Sequence, residues 1–385
     1  MEEIDLVSDL PHEILQHMVS YLPLKDAVRA SSISTLWKKS VLVPLQVNLK
    51  EKEVQEKLGM FLSSFTCHDK LRFCVEKKEE DLIIVLATKG VEKELHLQFF
   101  GQDEKQTTCR FFNLNLESSL SMASSSSLKT LHLSSIKPST TRLVSDFFAK
   151  NCPLLQSLKL EKCVGLRKLD EQVGNSLQSL TVLDCPDIVR IIISSPNLKS
   201  FSYRGVLPRI ELKSASELVD VTLDLRDGLG HNQFHCEEGV CLLASLKEVE
   251  TLTISSWFLE WMCRGGVIFK QLEFQLNKLK ELHLMDRSKR DSLACFLNIC
   301  PLLQKLFVQM DHQNKSDNIG PCPYFHEYWH EPHLWMDYEM VKSNTSELKH
   351  LRELVLEGFM GEEDEVLLME LLLDKAVGLQ SMIVT

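Results

Sequence analysis

One hexapeptide pattern recurs along this chain and restricts its folding more than any other feature. It places an apolar residue, two variable residues, an apolar residue, one variable residue and a further apolar residue. Leu128-Lys-Thr-Leu131-His-Leu133 is the first, and Leu155-Gln-Ser-Leu158-Lys-Leu160 and Leu177-Gln-Ser-Leu180-Thr-Val182 follow. The series continues from Leu198, Leu218, Val249, Leu279, Leu303, Leu351 and Leu379. The end of each hexapeptide alternates apolar and variable residues, as a strand does when one face is buried. A single such strand buries too little to be stable. Many of them, stacked side by side, build one continuous core.

The pattern L-x-x-L-x-L resembles the signature of leucine-rich repeats, which place one strand per repeat along the inside of a horseshoe. The resemblance implies an α/β fold with a solenoid of such repeats over about residues 51–345. Taken at the first residue of each alternating run, the strands start at 131, 158, 180, 201, 221, 252, 282, 306, 354 and 382. The 48-residue step from 306 to 354 equals two ordinary repeats of 24, so one repeat there is hidden or replaced. An irregular insertion at about 311–346 is expected to fill it. Gly320, Pro321 and Pro323 break regular structure there, and Tyr324, Phe325, Tyr328, Trp329 and Trp335 crowd it with aromatics.

Earlier segments extend the series. Lys70–Val75, Glu94–Leu97 and Asn113–Leu116 read as strands, and Asp81–Thr88 as an apolar helix ended by Gly90. Glu51–Phe65 reads as a joining helix. Side chains between the signature leucines should face solvent. They include His132, Lys159, Thr181, Ser202, Asp220, Thr222, Thr253, Glu281, His283, Lys305 and Phe307. This floor suits protein contact but identifies no ligand, since function belongs to a site rather than to a fold. Cys163 and Cys185 each lie three residues beyond a signature residue. There a small side chain turns inward against turn backbone, and both cysteines are expected to be structural.

The first fifty residues carry a different pattern. Pro11 suits a first helical turn, because its missing N–H has no partner there anyway. Ile14, Leu15, Met18, Val19 and Leu22 follow at helical spacing until Pro23. A second helix carries Leu24, Ala27 and Val28, and a third carries Leu36, Trp37 and Val41 before Pro44. Three short helices bury little surface by themselves, so their apolar stripe marks a binding face. The order Leu10-Pro11-x-Glu13-Ile14-Leu15, Leu22-Pro23-Leu24-Lys25-Asp26-Ala27-Val28 and Ser34-x-x-Trp37 resembles an F-box over about 5–48. The resemblance implies docking onto a Skp-type adaptor, and through it a cullin. Leu10, Pro11, Ile14, Leu15, Leu22 and Leu24 would make or support that contact. The last segment, 346–385, resembles the FBD type of plant F-box proteins. Leu348–Phe359 carries the likeness, with Glu365–Lys375 as a helix and Leu379–Val384 as a final strand.

Charge and composition exclude several classes. A formal net charge of −11 argues against binding nucleic acid through phosphate contacts. No apolar run is long enough to span a bilayer. The acidic start Met1-Glu2-Glu3 lacks a basic region followed by an apolar stretch, so no export is expected. The twelve cysteines are then expected as reduced thiols in nucleus or cytoplasm. His326-Glu327-x-x-His330 is a literal zinc-protease motif, but that chemistry needs a helix, and the prolines around it oppose one. No P-loop or G-x-S-x-G elbow is present.

These readings converge on a substrate-recognition subunit of a Skp–cullin–F-box ubiquitin ligase. It would have no catalytic residues or cofactor, and its repeats would bind an unidentified protein. Trp329 and Trp335 are candidate substrate contacts. A non-degradative interaction scaffold is the alternative, and a zinc hydrolase built on His326, Glu327 and His330 is a further one.

Overall fold

The computed structural model describes residues 129–138, 152–169, 176–213, 215–225, 236–264, 266–285, 292–310 and 338–385. It also describes the strand backbones of 43–47, 70–78, 81–89, 94–101 and 112–114. Two compact units emerge. The first is Met1–Arg167 with Gln172–Leu177 and Cys185–Asp187. The second is Lys168–Glu171, Gln178–Asp184 and Ile188–Thr385.

In the first unit the strands are β1 (Val43–Val47), β2 (Lys70–Lys78), β3 (Asp81–Lys89) and β4 (Glu94–Gly101). They continue as β5 (Phe112–Leu114), β6 (Thr130–Ser134), β7 (Ile136–Pro138) and β8 (Ser157–Glu161). Strands β2, β4, β6 and β8 pair in parallel, in that order. The helix expected at Asp81–Thr88 is a strand instead. It pairs antiparallel with β2, Val75 facing Ile84, and with β1, Leu45 facing Ile84. A continuous apolar run fits a buried strand as well as a helix, and β-branched Ile83, Ile84 and Val85 favour the strand. Pro44 lies in β1, the outermost strand of this order. An edge tolerates a missing donor. The strand expected at Asn113–Leu116 is the short β5, which pairs with β7 outside the main sheet.

The second unit carries β9 (Lys168–Leu169), β10 (Ser179–Leu183), β11 (Arg190–Ser194) and β12 (Ser200–Arg204). Then follow β13 (Arg209–Lys213), β14 (Asp220–Asp224), α1 (Cys236–Ser245), β15 (Thr251–Ser255) and α2 (Ser256–Arg264). The chain continues with β16 (Glu281–Met285), α3 (Ser292–Leu297), β17 (Lys305–Gln309) and α4 (Tyr338–Asn344). It ends with β18 (Glu353–Glu357), α5 (Glu363–Lys375) and β19 (Ser381–Val384). Strands β10, β12, β14, β15, β16, β17, β18 and β19 form parallel neighbours in that order. Strand β17 pairs directly with β18, Lys305 beside Glu353, so the long step inserts no strand between them. That repeat is replaced, and its described part includes α4. A second parallel sheet, β13-β11-β9, adds a further strand to some repeats. The reading of one strand per repeat missed it.

All ten hexapeptides are strands, each starting one residue before its first alternating apolar position. The alternation does the work expected of it. Leu131, Leu158, Leu180, Phe201, Val221, Leu252, Leu282, Leu306 and Leu354 are all 0% exposed. Truncating any one of these leucines to alanine should cost about 2–5 kcal/mol. A turn precedes eight of these strands. The Cys152 carbonyl accepts from Leu155 N–H at 3.1 Å, Cys300 from Leu303 at 3.3 Å, and Leu348 from Leu351 at 3.2 Å. The next two N–H groups then share one carbonyl of the preceding repeat, as Gln304 and Lys305 share that of Lys280. Stacking is therefore stitched by backbone before any side chain acts.

Helix α5 starts two residues before the expected Glu365. The Glu365 carboxylate accepts from the N–H of Glu362 at 3.0 Å and of Met360 at 2.9 Å, closing a capping box. Leu368, Leu371 and Leu372 are its buried apolar residues, and Glu365 is buried with them.

Cys152, Cys163, Cys185 and Cys300 are small buried groups. The Cys163 N–H donates to Cys185 Sγ at 3.4 Å, and Cys163 Sγ donates to the Leu133 carbonyl at 3.6 Å. Burial pushes the Cys152 thiol up to about 12 and raises that of Cys300 as well. Thiolate is the reactive form, so these thiols should resist alkylation. Iodoacetamide treatment of the native chain, read by mass spectrometry, should label exposed Cys241 while sparing Cys152, Cys163, Cys185 and Cys300. Labelling of all five at equal rates would contradict this burial.

Candidate interaction surface

The face opposite the leucine core is where the repeats meet solvent, and strand register arranges it in rows. One row of the second unit runs Ser179, Ser200, Asp220, Thr251, Glu281, Lys305, Glu353 and Ser381. The next runs Thr181, Ser202, Thr222, Thr253, His283, Phe307, Val355 and Ile383. The expected floor residues from Thr181 to Phe307 therefore share a face of the second unit, and none of them is buried. Sequence reading stopped at Phe307 and missed that Glu353, Val355 and Ile383 extend both rows. Their alternation in Leu351–Leu356 and Leu379–Val384 was the available signal.

Chemistry changes along the second row. Small hydroxyl side chains occupy its first four positions. His283 then stacks on Phe307, with ring centroids 4.2 Å apart and planes 4° from parallel. Val355 and Ile383 continue the apolar end, and Ile383 is 44% exposed. Charges flank it in the neighbouring row. His283 Nε2 lies 2.7 Å from Glu281 Oε1, and Lys305 Nζ lies 3.9 Å from Glu281 and 3.7 Å from Glu353. Burial raises the Asp220 carboxyl, against the opposing pull of His283 and a hydrogen bond from Ser200. Exposed pairs of this kind stabilise little. They orient side chains on a surface more than they hold the fold together.

The first unit has its own cluster on the corresponding face. Glu161 Oε2 lies 2.8 Å from Lys159 Nζ and 3.3 Å from His132 Nε2. Burial pushes the Glu161 carboxyl up, but the hydrogen bonds and charges of Lys159 and His132 outweigh it and leave the group lowered.

Among the described residues, no group of three His, Cys, Asp or Glu side chains is placed to hold a metal ion. None of their helices is long and apolar enough to cross a membrane. The expected adaptor contacts Leu10, Pro11, Ile14, Leu15, Leu22 and Leu24 lie outside the described residues. So do Trp329, Trp335 and the motif His326-Glu327-x-x-His330.

Comparison with known proteins addresses what this face belongs to. The family model described as "At1g61320/AtMIF1, LRR domain" matches residues 49–384, and the F-box domain model matches 7–44. The chain belongs to the plant F-box/LRR-repeat proteins. Its relatives in Arabidopsis thaliana agree. The putative F-box/FBD/LRR-repeat protein At4g03220 is 23% identical over 433 residues, covering 94% of this chain and 85% of that protein. The putative F-box/FBD/LRR-repeat protein At5g22670 is 26% identical, covering 81% and 79%. The F-box/LRR-repeat protein At5g02910 is also 26% identical, covering 83% and 74%. This F-box/LRR-repeat chain therefore carries the FBD-like features that its C-terminal residues resemble. Gly358, at the centre of that likeness, has a physical role in the fold. It follows β18 with φ +76°, and an added Cβ would lie 2.3 Å from the Met310 carbonyl oxygen.

Proposed function

We propose that this F-box/LRR-repeat protein is a substrate-recognition subunit of a Skp–cullin–F-box ubiquitin ligase, acting in nucleus or cytoplasm. The observation that carries the reading is the pairing of an F-box match at 7–44 with a repeat match over 49–384. An F-box implies a Skp-type adaptor as partner, and repeats imply a protein on the other side. The N-terminal apolar stripe from Leu10 to Leu24 docks the adaptor. The solvent face of the repeats captures a protein, with Trp329 and Trp335 as further contacts. The chain supplies no catalytic group in this account. It holds the substrate near the conjugating machinery, which raises the effective concentration of acceptor lysines.

Gel filtration of the purified chain mixed with a Skp-type adaptor tests the reading. The two should co-elute as one complex. A folded chain eluting apart from the adaptor at micromolar concentrations would overturn it.

A further inference from the structure

One side of the second unit is open in both of its layers. Strand β19 has β18 as a neighbour, and no other described strand pairs with it. In the repeat before it, the signature residues Leu351, Leu354 and Leu356 are 0% exposed. Their counterparts Leu379 and Met382 are only half-buried, and Val384 is 44% exposed. The apolar core is therefore incompletely covered along β19.

The backbone is open there as well. Ser381 N–H donates to the Arg352 carbonyl and Thr385 N–H to that of Leu356, each at 3.0 Å. Alternate residues of a strand bond to one neighbour, so the N–H and C=O groups of Met382 and Val384 point away from β18. Ser381-Met382-Ile383-Val384 carries no lysine, proline or glycine. Lysine and proline are among the devices that stop a sheet edge from recruiting another strand.

Helix α5 repeats this opening in the outer layer. Its Asp374 lies 3.1 Å from Lys342 of α4, and its Leu368, Leu371 and Leu372 are buried. Met369 and Leu373 lie one turn apart on the remaining flank, which turns away from α4. Met369 is half-buried, and Leu373 is 45% exposed.

We propose that this side is a self-association surface whose occupant is a second copy of the chain. The two copies pair antiparallel through β19 about a two-fold axis normal to the sheet. Ile383 then stands opposite Ile383 of the partner subunit, and Met382 opposite Val384 of the partner subunit. The outward N–H and C=O groups of the latter pair exchange hydrogen bonds. The same axis lays α5 beside its mate, with Met369 and Leu373 between them. An extended peptide would satisfy the strand edge but leave Met369 and Leu373 in water. A second copy presents a matching strand and a matching helix, which is why it is the occupant favoured. Charge agrees: exposed Arg352 precedes β18 and exposed Glu357 ends it, so antiparallel pairing brings unlike ends together. A contact of this symmetry is closed, so it stops at two copies. The inference stands on β19 and α5 and does not depend on the adaptor reading.

Analytical ultracentrifugation of the full chain tests it. Wild type should sediment as a dimer at micromolar concentrations and dissociate on dilution. Val384→Pro removes an outward donor and none of the bonds to β18, so it should weaken the dimer about tenfold or more with an unchanged circular dichroism spectrum. Should that variant fail to fold, Leu373→Lys alters a half-exposed helix residue and carries the same expectation, because two like charges would meet across the axis. Ile268→Lys, at a residue 56% exposed and distant in sequence from β19 and α5, should leave the dimer intact. Three results would overturn the inference. They are a wild-type monomer throughout the micromolar range, a dimer unchanged by Val384→Pro and Leu373→Lys, or a dimer weakened as much by Ile268→Lys as by either of them.

Discussion

Replacing Leu10 and Pro11 together with alanine should abolish capture of a Skp-type adaptor while the repeats stay folded. The expectation follows from how little a segment of about forty residues buries by itself. Leu10 and Pro11 open the apolar stripe that continues through Ile14, Leu15, Leu22 and Leu24, all within the F-box match at 7–44. A buried leucine side chain is worth about 1.5–3 kcal/mol, and binding energy concentrates in a few central apolar anchors. Loss of both residues should therefore weaken the adaptor complex about a hundredfold or more. Pull-down by immobilised adaptor, with circular dichroism as the check on folding, measures it. A soluble, folded double mutant captured as well as wild type would remove Leu10 and Pro11 from the adaptor contact.

Gly358→Val should be among the most damaging single changes in the C-terminal repeat. Its φ of +76° disfavours any L side chain. Left-handed backbone costs about 1–2 kcal/mol for a non-glycine residue, and more when it is β-branched. The larger effect is steric. A Cβ 2.3 Å from the Met310 carbonyl oxygen meets backbone, which cannot rotate away. Relief would pull apart the Met310 N–H to Glu357 carbonyl bond of 2.8 Å and the Gly358 N–H to Thr385 carbonyl bond of 2.7 Å. A loss of more than about 3 kcal/mol is expected, read as a lower urea midpoint. Gly266→Ala isolates the steric part: its φ is +83°, but no atom lies within 4 Å of an added Cβ. That variant should lose only about 1 kcal/mol. Equal losses from the two substitutions would show that the Met310 contact is immaterial.

What was legible in the sequence, and what was not, follows from where the information sits. Strand positions were legible because alternation at Leu131, Leu252 or Leu354 is local and repeated. A strand such as β3 was misread because Leu82–Ala87 is apolar without a period, so nothing local separates strand from helix. The second sheet escaped notice because β9 is two residues long and β13 carries Arg209, Glu211 and Lys213. The alignment of Lys168, Arg190 and Arg209 across it was invisible, since they are neighbours only through pairing register. The stacking of His283 on Phe307 is of the same kind. Both residues were placed on the solvent face from alternation, but their contact depends on β16 and β17 being adjacent.

The central claim is that capture by the repeats leads to degradation through the F-box. Proximity labelling in plant cells, with and without proteasome inhibition, tests it most directly when wild type is compared with the Leu10→Ala/Pro11→Ala variant. The account predicts labelled proteins whose abundance rises on inhibition with wild type. The same proteins should be labelled by the variant but be equally abundant with and without inhibitor. Partners whose abundance does not change with inhibition in either case would contradict it and make the chain a scaffold.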